Sequence, residues 1–445
     1  MAAACVSGNT SVLLTDFYQL TMLQGYFDRG MSDIAVFDLF VRKLPAGRNF
    51  LLAAGLEQVL AFLQGARFTQ DEIDWLVGTG RFHRRFLDWL AGWRFTGDVH
   101  AMPEGTIFFA DEPIVRVTAP MPEAQLVETR IINLVQLEVL VASKAARCVL
   151  AAPGKLLVDF GLRRAHGAEA GLLSARASFI AGFGGTSNVL AGKLWDIPLF
   201  GTMAHSFVEA HDDEVQAFED FAHSHPHENT LLIDTYDTEA AAARIIPLAA
   251  TLAREGISVQ AVRIDSGDLG EHARRVRRIL DEGGLSAVHI FASGNLDEYT
   301  LRELIASAAP IDGFGVGTRM NTSVDRPYLD CVYKLAEYAG RPRRKRSEGK
   351  ATWPGRKQVF RHYEDGGRFQ SDTVSLADEA VPGESLLVQV MAGGRRITAA
   401  PSLAALRDRA AGQFARLPEP LRSLEPAPPY GVTIAEPLQA LAQGL

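Results

Sequence analysis

A histidine at the end of a glycine-bearing turn is the residue of this sequence best suited to phosphoryl chemistry. His205 closes the run GTMAH, and Ser206 follows it, with Glu209 three positions later. Because Ser-x-x-Glu is the spacing of a capping box, the sequence predicts a helix that begins at Ser206. The N–H groups at a helix start attract negative charge, so an imidazole just outside could accept a phosphoryl group. The alternative is a histidine packed in a loop and hydrogen-bonded to the backbone.

Two glycine-bearing turns follow apolar, strand-like runs and are candidates to hold a phosphate. The first is Ser293-Gly294-Asn295 and the second is Gly315-Val316-Gly317-Thr318. Glycines let backbone N–H groups approach phosphate oxygens, and Thr318 can add a hydroxyl donor. One such turn alone is more often a plain strand-to-loop turn. Two on consecutive strands of a barrel lie where barrel phosphate sites commonly form.

A third candidate is the run RIDSGD, in which strand alternation places Arg263 and Asp265 on the same side. An arginine suits a carboxylate or a phosphate, and an aspartate beside it suits ribose hydroxyls or Mg²⁺. A structural ion pair between these two residues explains the pattern equally well.

The run DFGLRR sets the aromatic Phe160 beside the cations Arg163 and Arg164. Such a set can stack a flat ring and hold its anionic group. A core phenylalanine with two solvated arginines is the alternative. Near the N-terminus, Tyr18 is an amphipathic aromatic on a predicted helix, a position more typical of core than of a ligand contact.

A basic stretch, RPRRKRSEGK at residues 341–350, stands out in a chain of net negative charge. It is a candidate contact for a nucleotide or pyrophosphate, although charge runs are usually solvated loops. Further cations follow shortly after it. The cations of the stretch are Arg341, Arg343, Arg344, Lys345, Arg346 and Lys350, and the later ones are Arg356, Lys357 and Arg361.

A catalytic metal held by the protein is the main competing interpretation of the histidines. Several of them lie close together in sequence, but their spacing matches no HExxH or Cys/His ligand pattern. We therefore expect no metal ligated by protein side chains alone. These histidines are His205, His211, His223, His225 and His227.

Composition excludes several classes of protein. The chain has 445 residues, 47% of them hydrophobic, which is enough for a large core and two domains, and its net charge of −8 argues against nucleic-acid and acidic-membrane partners. Cys5, Cys148 and Cys331 form no disulfide framework, as is usual in a reducing compartment. The start MAAACVSGNTSVLL has no secretion-signal pattern, and no apolar run is long enough to span a membrane. We expect a cytoplasmic protein.

Strand-like and helix-like runs alternate from about residue 155 to 320, which predicts a parallel sheet covered by helices. Because nearly every strand ends in a polar residue or glycine, a barrel with its site at the strand C-termini is favoured over a doubly wound open sheet. The strand-like runs are LLVDFG, IPLFGTM, LLIDTYD, VQAVRIDSG, AVHIFASGN and IDGFGVGTR.

The remaining sequence predicts a second domain. Residues 1–125 have an α+β layout with a helix near 15–27, a strand at 35–42, a helix within 47–65 and short strands at 104–120. We place the barrel at 126–335 and expect the segment 336–445, with a strand at 385–391 and a helix at 402–417, to pack back on the N-terminal domain. The Pro- and Ala-rich tail from Glu419 is predicted to wrap over the surface.

Many of these motifs, in this order, resemble those of the nicotinate phosphoribosyltransferases. The resemblance implies the type II phosphoribosyltransferase fold, an irregular TIM-like α/β barrel with an additional discontinuous α+β domain, usually in a homodimer with sites at the interface. The matching motifs are LLTDFYQLTM, FVRKLPAGRNFLLAAGLEQ, DFGLRRAHG, IAGFGGTSN, GTMAHSFVEAH, VRIDSGDL, ASGNLDE, FGVGTRM and the block KRSEGK to TWPGRKQVFR.

The resemblance also implies a reaction and roles for residues. Nicotinate and phosphoribosyl pyrophosphate would give nicotinate mononucleotide and pyrophosphate in NAD synthesis, coupled to ATP hydrolysis through a phosphohistidine at His205. Mg²⁺ would accompany phosphoribosyl pyrophosphate and ATP. Phe160 and Tyr18, the latter reaching across the dimer, would sandwich the pyridine ring. Thr202 and Arg263 would hold nicotinate or the nearby phosphate.

The same resemblance assigns the phosphate groups. Asp265 is similar to the family residue near the ribose and the metal. One set of residues would hold the ribose 5′-phosphate, and another set would hold ATP or pyrophosphate. The first set is Gly294, Gly315, Gly317 and Thr318, and the second is Lys345, Arg346 and Lys350.

Substrate choice depends on Ser187 in the run GGTSN. The related nicotinamide enzymes carry an aspartate at this point, and an aspartate would repel the carboxylate of nicotinate. Ser187 therefore favours nicotinate. The alternatives are a nicotinamide phosphoribosyltransferase-like enzyme and a catalytically silent nucleotide-binding paralogue.

Overall fold

The computed structural model describes residues 11–445. Most of the N-terminal run and Cys5, both used in the sequence analysis, lie outside the described residues. The chain forms two compact units. The first consists of the residues up to Ser143 together with Arg326–Leu445, and the second consists of Lys144–Asp325.

Helices and short strands alternate irregularly in the N-terminal part. The predicted strand at 35–42 is present, whereas the predicted helix within 47–65 begins only after a short strand. The elements are α1 Phe17–Asp28, β1 Ile34–Val41, β2 Leu51–Leu52, α2 Leu56–Gly65, α3 Gln70–Gly78, α4 Arg84–Ala91, β3 Asp98–Ala101, β4 Ile107–Phe108, β5 Pro113–Pro120, α5 Met121–Leu126 and α6 Glu128–Ala151.

Strands and helices alternate regularly in the second unit, as the sequence predicts. A 3₁₀ turn at Leu162–Arg164 follows the first strand. The elements are β6 Leu156–Asp159, α7 Ala168–Ala181, β7 Gly185–Thr186, α8 Val189–Trp195, α9 His205–Glu209, α10 Glu214–Ser224, β8 Thr230–Leu232, α11 Thr238–Arg254, β9 Ala261–Ile264, α12 Leu269–Glu282, β10 His289–Ser293, α13 Glu298–Ala306, β11 Gly313–Val316 and α14 Thr318–Asn321.

The strands of the second unit form a barrel with one irregular seam. They are parallel, in the order β7-β6-β11-β10-β9-β8, so the first strand of the unit pairs with the last. The run IPLFGTM, predicted as a strand, contributes only an isolated bridge between Leu199 and Thr186. Within the described residues, no ladder joins this segment to β8. The prediction of an irregular α/β barrel is confirmed, and except at the seam between β7 and β8 each strand lies beside its neighbour in sequence.

One face of β9 and β10 is fully buried, whereas the residues of the other face are mostly only partly buried. Val262, Ile264, Ile290 and Ala292 are fully buried on two neighbouring strands. Polar residues and glycines are frequent where the strands end, and aspartate caps then start several of the helices. Asp268, for example, accepts a hydrogen bond from the backbone N–H of Glu271 at the start of α12.

The C-terminal segment returns to the first unit. Its elements are β12 Cys331–Tyr338, β13 Arg341–Pro342, β14 Lys357–Tyr363, β15 Phe369–Leu376, β16 Glu384–Ser385, β17 Val388–Ala392, β18 Arg395–Arg396, α15 Leu403–Arg416, α16 Glu419–Arg422, β19 Val432–Ile434 and α17 Glu436–Gln443.

Both ends of the chain contribute to the main sheet of the first unit. Its strand order is β13-β12-β1-β5-β3-β17-β18, so β1 lies between a C-terminal and an N-terminal strand. A second sheet has the order β16-β14-β15-β19. The prediction that the tail only wraps over the surface is wrong. β19 pairs with β15, and Leu421 and Leu438 are buried.

None of the helices in the described part of the chain has the length and apolar character that crossing a bilayer requires.

Candidate active site

A cavity of about 560 Å³ opens at the C-terminal ends of the barrel strands. Residues that follow each of the strands line it, together with the segment between β7 and β8. Every predicted site residue of the second unit is among them: Phe160, Arg163, Ser187, Thr202, His205, Arg263, Asp265, Gly294, Gly315, Gly317 and Thr318. The fold therefore brings together residues up to 158 positions apart, from Phe160 to Thr318.

Arg263 is the centre of the polar contacts in this cavity. Its Nε donates to the Ser293 hydroxyl at 2.8 Å, and its two terminal nitrogens donate to Thr202 Oγ1 at 2.8 Å and Asp265 Oδ1 at 2.7 Å. Ser293 also donates to Asp265. The predicted alternation that places Arg263 and Asp265 on one side of β9 is thus confirmed. A single guanidinium links three segments of the barrel mouth.

Phe160 lies against Arg263 and fills a space that two glycines leave open. The guanidinium carbon of Arg263 is 5.5 Å from the centre of the Phe160 ring. A side chain at Gly315 would overlap that ring, and one at Gly317 would come within 2.9 Å of the Phe160 carbonyl oxygen. Glycines are therefore required in the second turn because larger residues would clash with Phe160. The sequence predicts a different reason, which is that glycines let a phosphate approach the backbone.

His205 occupies the cavity wall in a way that differs from the prediction. The helix begins at His205 itself, and α9 is only five residues long, with Ala204 as its N-cap and no capping hydrogen bond from a side chain. The predicted capping box of Ser206 and Glu209 is therefore wrong. Because so short a helix has little dipole, stabilisation of a phosphate must come from neighbouring side chains instead.

The neighbour that holds His205 is Thr235, which the sequence reasoning missed. Nδ1 of His205 is 3.1 Å from the Thr235 hydroxyl oxygen. Asp234, the residue before it, accepts hydrogen bonds from the backbone N–H of Asp265 at 2.9 Å and from the Ser266 hydroxyl at 2.5 Å. Both residues follow β8 in the run LLIDTYD. Polar residues at the strand ends are predicted to form the site. Applied to the end of β8, that prediction would have identified Asp234 and Thr235.

The cavity is suited to anionic ligands. Its lining includes three arginines (Arg163, Arg164 and Arg263) and one carboxylate, Asp265. Burial raises the pKa of Asp265, but hydrogen bonds from Ser293 and the charge of Arg263 outweigh burial and lower it overall. Asp265 is therefore ionised at neutral pH, and the positive charge of the arginines exceeds it.

The four other predicted residues belong to the first unit. Tyr18 lies on α1, with 48% of its surface exposed and its hydroxyl 3.4 Å from Glu128. Lys345, Arg346 and Lys350 are exposed on a turn that is closed by hydrogen bonds between the backbone of Lys345 and Thr352.

The interpretation of the later basic residues as polyphosphate contacts is wrong for two of them. Lys357 is buried, with its Nζ 2.7 Å from Asp38. Arg361 has no exposed surface and pairs with Asp372 at 2.6 Å. Arg356 is half exposed and pairs with Glu337 at 3.0 Å. Lys357 and Arg361 are therefore not part of the basic surface of this stretch, which includes the turn around residues 345–350.

Comparisons with known proteins identify the family of this chain. The model of the nicotinate phosphoribosyltransferase N-terminal domain matches residues 13–136, and that of the nicotinate phosphoribosyltransferase family matches residues 156–349. The nicotinate phosphoribosyltransferase pncB2 of Mycobacterium tuberculosis is 51% identical over 418 residues, which are 94% of this chain and 90% of that protein. This chain belongs to the nicotinate phosphoribosyltransferase family.

Further relatives extend the family match. A nicotinate phosphoribosyltransferase of Bacillus subtilis is 39% identical over 84% of this chain and 78% of that protein. The crystal structure of human nicotinic acid phosphoribosyltransferase superposes with a TM-score of 0.88 at 31% identity, covering 97% of this chain and all of that one. The fold is therefore that of the type II phosphoribosyltransferases, as the sequence motifs imply.

Proposed function

We propose that this enzyme of NAD biosynthesis joins nicotinate to phosphoribosyl pyrophosphate, giving nicotinate mononucleotide and pyrophosphate, with ATP hydrolysis coupled through a phosphohistidine at His205. The observation that carries the proposal is the shared cavity. An aromatic ring and an arginine, Phe160 and Arg263, line it together with the glycine turns that end at Asn295 and Thr318. A flat acid and a sugar phosphate can therefore be bound side by side.

The chemistry needs positioning more than covalent assistance. The ring nitrogen of nicotinate forms a bond to C1 of the ribose, while the bond from C1 to the pyrophosphate oxygen breaks and the electron pair leaves with pyrophosphate. The ribose carbon becomes cation-like as this happens, so aligned reactants and fixed charges supply most of the rate. Phe160 would hold the ring by stacking and Arg263 would orient its carboxylate.

Asp265 fits a role beside the ribose and Mg²⁺. Ser293 and Arg263 keep its carboxylate ionised, and this carboxylate lines the cavity. Carboxylate oxygens are among the ligands that Mg²⁺ prefers. Mg²⁺, when bound with phosphoribosyl pyrophosphate, would neutralise charge on the departing pyrophosphate. Asp265 itself would accept a hydrogen bond from a ribose hydroxyl and stabilise positive charge at C1.

The ATP step is assigned to His205 because it is the imidazole that lines the cavity. A ring nitrogen of His205 would form a bond to the terminal phosphorus of ATP as ADP leaves, and water would later cleave that bond. The phosphate would act by changing substrate binding and loop conformation, without attack on the ribose. Lys345, Arg346 and Lys350 would contact ATP or pyrophosphate.

The remaining assignments complete the proposed site. Arg163 and Thr202 would help to hold the carboxylate or the nearby phosphate, and Gly294 and Thr318 would bind the ribose 5′-phosphate. The enzyme would work as a homodimer, in which Tyr18 of a second copy stacks on the pyridine ring opposite Phe160.

The decisive experiment offers the pure protein phosphoribosyl pyrophosphate and Mg²⁺ with nicotinate or nicotinamide, each with and without ATP. Formation of nicotinate mononucleotide, increased by ATP, is the expected result. Product from nicotinamide alone would overturn the assignment of substrate, and no product from either would overturn the proposed reaction.

Replacing His205 by alanine is expected to abolish the increase that ATP causes, while the slower ATP-independent reaction continues. The measurement is the initial rate with and without ATP, together with ³²P transfer from ATP to the protein. His211→Ala is the matched control, because His211 lies six residues further on, outside α9, and its Nδ1 is 2.7 Å from the Phe207 carbonyl oxygen. Trapping of a ribosyl adduct on His205 would contradict this role.

Replacing Arg263 by lysine is expected to lower kcat/KM for nicotinate about a hundredfold, because lysine keeps the charge but loses the planar set of donors. Ser293, Thr202 and Asp265 would then lose the group that aligns them. Steady-state kinetics test this, with Arg254→Lys as a control on the exposed end of α11. Equal kcat/KM values for the Arg263→Lys variant and the unmodified enzyme would contradict the role of the guanidinium.

A further inference from the structure

A fully buried carboxylate, Asp159, lies directly beneath the cavity and has no exposed surface. It ends β6, one residue before Phe160. Its Oδ1 accepts hydrogen bonds from the backbone N–H of Gly161 at 2.9 Å and from the Asn321 side-chain amide at 2.7 Å. Its Oδ2 accepts one from the Thr186 hydroxyl at 2.8 Å. Burial raises the pKa of Asp159 overall, and these donors offset only part of that rise.

These hydrogen bonds join three segments that carry proposed substrate contacts. The bond to Gly161 fixes the backbone on the far side of Phe160. Thr186 precedes Ser187, whose own N–H donates to the Asp159 carbonyl at 2.8 Å. Asn321 ends α14, which begins at Thr318, and its N–H donates to the Gly317 carbonyl at 3.1 Å.

The Asn321 side chain packs closely against the backbone that follows β6. A side chain on Gly161 would overlap the Asn321 amide, so only glycine fits there. The amide can point only one way, because turning it over would set its oxygen against the Asp159 carboxylate. Thr186, in turn, accepts from the Asn188 N–H at 3.0 Å, which extends the network through the loop that carries Ser187.

We propose that Asp159 and Asn321 are positioning residues that fix the distance between the groups that bind the pyridine ring and the groups that bind the ribose 5′-phosphate. This inference rests on the proposed function, because it concerns how the two parts of that site are spaced. The hydrogen bonds from Gly161 and Thr186 connect the carboxylate to the segments of the ring contacts Phe160 and Ser187, and the bond from Asn321 connects it to the helix that Thr318 begins.

The physical reason is preorganisation. Nicotinate mononucleotide carries its ring and its phosphate at a separation set by covalent bonds, so it gains from a site whose two halves are already held at that separation. Nicotinate alone occupies only one half and gains nothing from the spacing. Loosening the link between Asp159 and Asn321 should therefore weaken binding of the nucleotide far more than binding of the free acid.

The test compares two buried asparagines of the barrel. Asn321→Ala removes the donor to Asp159, whereas Asn229→Ala removes hydrogen bonds to the His225 and Ser258 carbonyls at the opposite, N-terminal end of β8. Both side chains are buried, so both variants lose a comparable buried amide. Isothermal titration calorimetry with nicotinate mononucleotide and with nicotinate, and thermal unfolding of each variant, give the required quantities.

We expect Asn321→Ala to weaken nucleotide binding about tenfold, the effect of one hydrogen bond to a charged group, with nicotinate binding within about twofold. Asn229→Ala should lower the Tm and leave the ratio of the two affinities unchanged. If Asn321→Ala does not fold, Thr186→Val tests the other link. An equal loss for both ligands, or no loss, in a folded variant overturns the positioning role. If the unmodified enzyme binds neither ligand, the proposed function itself has failed.

Discussion

Replacing Ser187 by aspartate is expected to lower kcat/KM for nicotinate about a thousandfold, the largest change in activity that a single substitution in the cavity should cause. Ser187 is half-buried in the cavity wall, and its N–H is held by the Asp159 carbonyl at 2.8 Å. A carboxylate introduced there cannot withdraw easily from the substrate.

Two effects cause this loss of activity with nicotinate. The new carboxylate would repel the carboxylate of nicotinate in a site that excludes much of the solvent, and it would compete with nicotinate for Arg163 and Arg263. Nicotinamide has no negative charge and can donate an N–H to a carboxylate. Its use should therefore improve in the variant while the use of nicotinate declines.

Ser187→Asn separates charge from size, because asparagine has the shape of aspartate and no charge. Steady-state kinetics with both ring compounds should show a much smaller loss for nicotinate in this control. Similar kinetics for the aspartate and asparagine variants would mean that volume, and not charge, selects the substrate at this position.

The barrel could be predicted from the sequence because its periodicity is local. Each strand is a short apolar run that ends near glycine or a polar residue and is followed by a helix, and aspartate caps begin the helices after β8, β9 and β10. The same local rule located Arg263 and Asp265 on one face of β9 and both glycine turns at the cavity. The C-terminal ends of parallel strands lie at the same end of a barrel. The residues at the strand ends therefore also predicted where the cavity lies.

The predictions that failed depend on contacts between distant residues. Ser206 and Glu209 have the spacing of a capping box, but the chain starts its helical turn one residue earlier, where Thr235 holds His205. Asp159 was visible only as part of an aromatic motif. Its role depends on Asn321, which is 162 positions away, and no local pattern indicates that contact.

The same limit applies to the basic residues of the C-terminal segment. A run of arginines and lysines predicts a charged surface. Lys345 and Arg346 are exposed, as this prediction requires. Arg361 instead lies in the interior of the first unit, because Asp372, which faces it across β14 and β15, supplies the opposite charge. Sequence alone gives the charge of a residue but not the partner that allows it to be buried.

Replacing Arg361 by methionine is expected to destabilise the first unit by about 3–5 kcal/mol, because it leaves a buried carboxylate without its cation. Arg361 donates to both oxygens of Asp372, at 3.0 and 2.6 Å, and to the Ile107 carbonyl and the Gln413 side chain at 2.9 and 3.0 Å. Methionine fills similar space but satisfies none of these acceptors.

A second carboxyl group makes the loss depend on pH. Burial and then the charge of Asp372 raise the pKa of Glu112 well above its usual range, whereas the charge of Arg361 acts to lower it. Without the arginine that lowering charge is lost, so the pKa of Glu112 in the folded protein should rise still further above its unfolded value. The destabilisation is then largest at neutral pH and shrinks as the pH falls towards about 4, where the unfolded carboxyl group also binds a proton.

Urea unfolding followed by tryptophan fluorescence measures this loss. Of the five tryptophans only Trp195 lies in the second unit, so the signal reports mainly on the first. Arg356→Met is the matched control. Arg356 pairs with Glu337 at 3.0 Å but is half exposed, and its loss should cost less than about 1 kcal/mol at any pH. If the two variants unfold at the same urea concentration at pH 7, the interior ion pair contributes no more than a surface one. The stability of the first unit would then rest on its apolar core alone.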